Sequence, residues 1–201
     1  LARLYAATRP AMIVLGGNPM ASNGSVWTVP DFRNRVKELQ ARGGELIVID
    51  PRRTETAKIA DRHIFVRPGN DAFLLIALLK TMRAKGLPQA AAYVRNAEAL
   101  WAALERFEVG DCLARAGVAA ADVDHLAERL LGGPAALYGR MGASTQSFGT
   151  LTAWLVAATN ILAGQLDREG GLLCGAPVVD LLHLFGPGSI GKYHSRVSRH
   201  R

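Results

Sequence analysis

Cysteine is scarce in this chain, with only Cys112 and Cys174 among 201 residues. The two lie far apart and form no CxxC pair, so this chain cannot supply a zinc ribbon or the ligands of an iron–sulfur cluster. Both thiols are best interpreted as small buried apolar side chains. The five histidines show no spacing typical of metal ligands, and we therefore predict no metal site and no catalytic residue within this chain.

Long hydrophobic runs are also missing. The most apolar stretch, FGTLTAWLVAATNILAG at 148–164, contains three threonines and an asparagine and is shorter than the roughly 20 residues of a membrane span. We therefore predict a core helix there and no membrane span. The first residues, LARLYAATRPAMIVLGG, lack the layout of a signal peptide. Because the chain begins at a leucine, we interpret it as a fragment of a longer protein.

Acidic side chains do not occur after Asp180, although the chain as a whole carries a net charge of +7. Four of these excess charges lie in the tail KYHSRVSRHR, which we interpret as a solvated end. We predict an extended C-terminal segment over 172–201. No basic patch interleaved with aromatic residues is found, so nucleic acid is not an expected partner.

The composition is that of a globular domain, since 49% of the residues are apolar and 20% are charged. AMIVLGG at 11–17 and ELIVID at 45–50 have the continuous apolar pattern of buried parallel strands. A helical pattern at 30–44 lies between them. The other predicted elements are a short helix at 54–61, a strand at 63–67, helices at 70–85 and 147–164, an insertion-like helical segment at 88–132, and a strand with a turn at 134–142. This order predicts a single α/β domain over 1–201, a Rossmann-like open parallel sheet with helices on both faces.

Three of the predicted strands end in polar turns, GGNPMASNGS, DPRRTE and RPGND. Ligands of open parallel sheets bind outside the carboxyl ends of the strands, so these turns should converge on one site. Gly16 and Gly17 allow close approach of a bound group, although an ordinary turn explains them equally well. Neither GxGxxG nor GK[ST] occurs, which disfavours a standard nicotinamide or ATP site.

The second and third turns carry charged residues that suit a nucleotide. Asp50 can accept hydrogen bonds from a ribose or a purine edge, and the alternative is a pair with Arg52 or Arg53. The two guanidinium groups match phosphate oxygens. Asp71 opens a helix, where it either serves a ligand or only satisfies the helix N-terminus, and Gly69 allows a tight turn before it. Together the three turns predict a ligand that contains a nucleotide.

Three stretches resemble the molybdopterin oxidoreductase family. They are VLGGNPMASNGS, ELIVIDPRRTETAKIADRHIFVRPGNDAFLLIALL and YGRMGASTQSFGTLTAWLVAATNILAGQLDREGG. The family contains bis-molybdopterin guanine dinucleotide enzymes such as formate dehydrogenases, nitrate reductases and dimethyl sulfoxide reductases. The resemblance implies that this chain is the Rossmann-like domain that holds the guanine dinucleotide of one cofactor in a molybdenum-dependent oxidoreductase.

The resemblance also implies the roles of particular residues. Gly16, Gly17 and Asn18 would lie along the phosphates and ribose, and Met141, Gly142 and Gln146 would approach the pterin. The nucleoside would be contacted by residues of the second and third turns, namely Asp50, Arg52, Gly69 and Asp71, of which Asp71 pairs with guanine N–H groups.

The family's cluster-binding cysteines, molybdenum ligand and C-terminal barrel do not occur in this chain. We therefore expect the chain to bind part of the cofactor, and redox chemistry and any iron–sulfur cluster to require the rest of the enzyme. The implied partners are the other domains and an electron-transfer partner, in the cytoplasm or alternatively the periplasm. Two other hypotheses remain: a non-catalytic nucleotide-binding module, and a domain like the middle domain of a thiamine-diphosphate enzyme.

Overall fold

The computed structural model of this chain describes residues 9–22, 31–88 and 94–172. Within these ranges one parallel sheet is formed in the order β3-β2-β1-β4. Its strands are β1 (Ala11–Leu15), β2 (Glu45–Ile49), β3 (Arg62–Ile64) and β4 (Ala135–Gly139). The predicted open parallel sheet is therefore confirmed.

The helices of the described ranges lie on both faces of this sheet. They are α1 (Phe32–Ala41), α2 (Asp71–Lys85), α3 (Ala97–Leu104), α4 (Val109–Ala116), α5 (Ala120–Gly132), α6 (Met141–Ser144) and α7 (Gly149–Leu162). Helix α1 packs on one face and α2, α5 and α7 pack on the other. None of these helices is both long and apolar enough to cross a membrane.

Alternation along β1 divides its side chains between the two faces. Met12 and Val14 pack with α1, whereas Ile13 and Leu15 pack with the larger group of helices. Successive strand residues point to opposite faces, so a sheet covered by helices on both sides needs apolar residues at every position. This is why AMIVL contains no polar residue and is buried throughout.

The strand order reverses at β1. The chain runs from β1 outward to β2 and β3, and then returns through α2 to α5 to place β4 on the other side of β1. In open α/β sheets such a reversal leaves a crevice outside the carboxyl ends of the two strands where the order changes. By this rule the expected ligand crevice would lie outside the carboxyl ends of β1 and β4.

Side-chain amides complete the outer edge of β4. Asn160 accepts a hydrogen bond from the Leu137 N–H at 3.0 Å and donates one to the Leu137 carbonyl at 2.8 Å. Gln165 accepts from the Ala135 N–H at 3.2 Å. Both amides are buried, and they satisfy backbone groups that an edge strand would otherwise leave unpaired.

Two sequence predictions about local elements are wrong. Residues 54–61 form hydrogen-bonded turns instead of a helix, because so short a segment gains little from helix formation and its Thr56 is bonded to the loop after β1. Strand β3 ends at Ile64 and does not continue to Arg67. The Arg67 N–H donates instead to the carbonyl of Ala116 at the end of α4.

Of the predicted extended segment, residues 173–201 lie outside the described ranges.

Candidate functional site at the carboxyl ends of the strands

The backbone after β1 is held between the segments that follow β2 and β4. The Gly16 N–H donates to the Ile49 carbonyl at 3.0 Å, and the Gly16 carbonyl accepts from the Gly142 N–H at 3.0 Å. The Arg140 N–H donates to the Leu15 carbonyl at 2.9 Å. The carboxyl ends of β1, β2 and β4 therefore meet through these bonds, whereas the three polar turns predicted to converge follow β1, β2 and β3.

Glycine is required where the loops after β1 and β4 cross. Gly16 has φ +62°, and a Cβ added to it would lie 2.5 Å from the backbone nitrogen of Ala143. A Cβ on Gly142 would lie 2.9 Å from the Gly16 carbonyl oxygen, and one on Gly17 would lie 3.0 Å from a Val14 methyl group. The close approach that these glycines permit is thus to neighbouring protein atoms. Their contact with a ligand stays a prediction.

Asn18 joins the loop after β1 to the loop after β2. Its Oδ1 accepts from the N–H of Thr56 at 3.2 Å and from the hydroxyl at 2.8 Å, while its Nδ2 donates to Glu55 at 2.6 Å. The hydrogen bond from Asn18 is the main reason why the pKa of Glu55 is lowered. The side chain of Asn18 therefore shapes the crevice wall, whatever further contact it makes with a ligand.

Asp50 follows β2 directly and shapes its own turn. Its Oδ1 accepts from the Arg52 N–H at 2.8 Å, and its carbonyl oxygen lies 3.0 Å from Nε2 of His63. The carboxylate is thus held by a backbone donor and makes no pair with the Arg52 guanidinium. Arg52 and Arg53 are exposed, and neither makes an ion pair within 4.0 Å among the described residues, although the charge of Arg52 contributes to the lowered pKa of Glu55. Two cations therefore remain available at the crevice.

Asp71 is the first residue of α2 and is only 5% exposed. Its Oδ2 accepts a hydrogen bond from Nε2 of Gln146 at 2.8 Å. Burial raises the pKa of Asp71 above its usual value, the negative charge of Asp50 adds to this rise, and the hydrogen bond from Gln146 opposes it. The two carboxylates predicted at separate turns therefore belong to one electrostatic environment.

The Gln146 amide has one end fully bonded and the other without a partner. Nε2 lies 2.8 Å from Asp71 Oδ2, 2.9 Å from the Ala143 carbonyl and 3.5 Å from the Gly142 carbonyl. A reversed amide would place its oxygen against these three acceptors, so the assignment of nitrogen and oxygen is secure. Oε1 is buried without a hydrogen-bond partner, which costs about 1–3 kcal/mol. A polar atom of the crevice is therefore left unsatisfied.

Gly69 and Met141 complete the set of predicted residues. Gly69 has φ +79°, and a Cβ there would lie 3.8 Å from Gln146 Oε1, so the turn before α2 passes close to that amide. Met141 is 63% exposed at the start of α6, where its thioether can contact a ligand or another part of a larger protein. No group of three His, Cys, Asp or Glu side chains in the described part of the chain is arranged to hold a metal ion.

Sequence reasoning missed two features of this site. Thr56 is fully buried and binds both Asn18 and the Met20 N–H, although its position in TETAKIAD suggested only a helix. The contact between Asp71 and Gln146 joins residues 75 positions apart. A single sequence contains no signal for such a pairing, because neither residue's local pattern depends on the other.

Comparison with known proteins relates the chain to parts of much larger enzymes. No family model matches it. It is 31% identical over 160 residues to the assimilatory nitrate reductase of Haloferax mediterranei, a match that covers 79% of this chain and 22% of that protein. It is 39% identical over 67 residues to formate dehydrogenase H of Escherichia coli, covering 33% of this chain and 8% of that protein.

A solved structure shares the fold. The acetylene hydratase from Pelobacter acetylenicus superimposes with a TM-score of 0.71 at 21% sequence identity, covering 86% of this chain and 23% of that one. The chain thus spans about a fifth of the nitrate reductase and of the hydratase.

Proposed function

This chain belongs to the molybdopterin oxidoreductase family, and we propose that it is the domain that binds the guanine dinucleotide part of the cofactor. The nitrate reductase and formate dehydrogenase relatives indicate a molybdenum-containing cofactor. The finer assignment, to the guanine dinucleotide, is supported chiefly by Asp71. A buried carboxylate at the crevice offers acceptors only, and the N1–H and 2-amino groups of guanine are both donors.

The residues of the crevice are chemically suited to a guanine dinucleotide. Gln146 leaves a buried polar atom unsatisfied beside Asp71, and the exposed guanidinium groups of Arg52 and Arg53 suit the phosphates of a dinucleotide. Asp50 and Arg52 would lie near the guanosine. Backbone after β1, at Gly16, Gly17 and Asn18, would run along the phosphates and ribose, while the turn before α2 at Gly69 would admit the base. In the segment of Met141, Gly142 and Gln146, the first two residues would lead toward the pterin, while Gln146, bonded to Asp71, would lie at the base.

Binding and orientation are the proposed contributions of this chain to catalysis. When bound in the complete enzyme, the cofactor supplies two-electron redox chemistry. Asp71 and the crevice would fix one end of the cofactor, so that its other end is held in position relative to the remaining domains. We propose that the complete protein is a molybdenum-dependent oxidoreductase, that its other domains and an electron-transfer partner contact this one, and that this chain by itself only binds.

Nucleotide titration of the purified chain tests this function. We expect GMP to bind at least tenfold more tightly than AMP, because AMP offers an acceptor at N1 where guanine offers a donor. The variant Asp71→Ala should weaken GMP binding about tenfold, as loss of a hydrogen bond to a charged group predicts, and leave AMP binding unchanged. Isothermal titration calorimetry measures both.

A matched control is Asp124→Ala, which removes an exposed carboxylate on α5 that pairs with Lys85. It should leave both nucleotide affinities unchanged. Equal affinities of the unmutated chain for GMP and AMP would contradict the proposed guanine site.

A further inference from the structure

We propose that the Gln146 amide competes with the purine base for Asp71 and is displaced when guanine binds. This inference rests on the proposed function and adds a regulatory contact to the same site. The amide and the base both present N–H donors, and the carboxylate can accept from either. Gln146 would therefore act as an internal substitute for the ligand.

The contact is placed where the base must arrive. Nε2 of Gln146 lies 2.8 Å from Oδ2 of Asp71, and Asp71 is only 5% exposed. A carboxylate has two acceptor oxygens, and a guanine that donates through both N1–H and the 2-amino group would use both. The amide already covers Oδ2, so such two-point binding would exchange one donor for another at that oxygen.

The unpaired Oε1 of Gln146 favours replacement of the amide by the base at Asp71. The hydrogen bonds made by Nε2 hold Gln146 in its present orientation, while Oε1 is buried without a partner. Rotation of the side chain away from Asp71 would bring Oε1 to water or to a ligand donor, and the base would supply the donor that Asp71 loses. Part of the cost of displacement is thus recovered at Oε1.

The backbone around Gln146 allows a side-chain rotation. The Gln146 carbonyl accepts from the Gly149 N–H at 2.9 Å, so the main chain is anchored at the start of α7. The neighbours Thr145, Ser147 and Phe148 are exposed. An outward turn of the side chain would break the bonds of Nε2 to the Ala143 and Gly142 carbonyls and would leave the backbone bond that anchors α7 in place.

An alternative interpretation makes Gln146 a second acceptor for guanine, with Oε1 receiving a base N–H. Oε1 is buried in the present orientation, so a base donor could reach it only after the side chain has moved, which favours displacement. The two interpretations predict opposite changes in GMP affinity for a variant that lacks the Gln146 amide. Removing a competitor strengthens GMP binding, whereas removing an acceptor weakens it.

The test is Gln146→Met, which has a side chain of similar length without a donor. In calorimetric titrations of the purified chain, we expect its affinity for GMP to rise about fivefold to tenfold and its affinity for AMP to stay unchanged. The control Ser147→Ala alters an exposed neighbour and should change neither. Unchanged or weaker GMP binding by Gln146→Met would overturn the proposal.

A second measurement covers the case in which Gln146→Met does not fold. In NMR spectra of the unmutated chain, saturation with GMP should shift the Gln146 side-chain amide resonances to those of a solvated amide, and AMP should not. Resonances that stay in place under GMP would overturn the displacement alone, provided that GMP still binds more tightly than AMP. Loss of that preference in the unmutated chain would instead contradict the proposed function.

Discussion

The two ends of the sheet differ in how their charged side chains are paired. At the amino end, Glu45 at the start of β2 lies 2.8 Å from Nε2 of His125 and 3.1 Å from Nε of Arg129. Arg62 lies 4.0 Å from the same carboxylate and 2.9 Å from Asp122. The opposite charges of this cluster lie close together, although Nε of Arg129 is buried without a hydrogen bond, and the cluster joins β2 and β3 to α5.

At the carboxyl end, compensation is incomplete. Asp50 and Asp71 share one environment, Arg52 and Arg53 make no ion pair among the described residues although the charge of Arg52 helps to lower the pKa of Glu55, and Gln146 leaves an oxygen unsatisfied. Ion pairs between secondary-structure elements serve stability, whereas exposed cations and carboxylates without an ion-pair partner are groups that a charged ligand can satisfy. The comparison therefore supports our proposal that the amino end serves stability and the carboxyl end serves binding.

The largest effect should come from Gly16→Ala, which alters the framework of the carboxyl end. A Cβ would lie 2.5 Å from the Ala143 nitrogen at a φ of +62°, so backbone must move and we expect a loss of about 3 kcal/mol in the free energy of unfolding. Urea denaturation measures it. Gly110→Ala, whose Cβ meets nothing within 4 Å in α4, should instead stabilise by about 0.5–1 kcal/mol. Equal effects of the two substitutions would refute the packing argument.

A smaller effect should follow from Glu45→Gln at the amino end. The variant leaves Arg62 and Arg129 facing one another without their shared anion, and we expect a loss of about 1–2 kcal/mol because the cluster is partly exposed. Glu38→Gln is the control, since its pair with Arg35 is a surface contact and should change the free energy of unfolding by less than about 0.5 kcal/mol. GMP affinity should stay unchanged in both. A fall in GMP affinity on mutating Glu45 would contradict the separation of a stabilising amino end from a ligand-binding carboxyl end.

The smallest effect concerns the pH dependence of stability conferred by Asp71. Its pKa is raised in the folded chain from a usual value of 3.8, so folding favours the protonated form. This contribution to stability is complete below pH 3.8 and is lost as the pH rises through the folded-state pKa. The stability of Asp71→Asn relative to the unmutated chain should therefore increase with pH over that window. Chemical denaturation at several pH values measures this. If the free energies of unfolding of Asp71→Asn and the unmutated chain differ by the same amount at every pH, ionisation of Asp71 does not destabilise the fold.

The sequence by itself determined the sheet and the place where its polar loops meet. Apolar runs such as AMIVL and ELIVI can be satisfied only by strands covered on both faces, and parallel strands bring their carboxyl ends to one edge. The turns with Gly16, Asp50 and Asp71 could therefore be assigned to a single crevice. These conclusions follow from the period of the side chains and the direction of the chain, which are local properties.

Only the tertiary structure decided which groups are bonded within that crevice and which are left over. Thr56 is held by Asn18, β3 ends early because Arg67 turns to α4, and Asp71 accepts from Gln146. Each contact joins residues that are distant in sequence, so its geometry depends on how whole elements pack. Local pattern specifies an element and its buried faces, but a hydrogen bond needs two atoms placed within tenths of an ångström, and only the assembled fold supplies that placement.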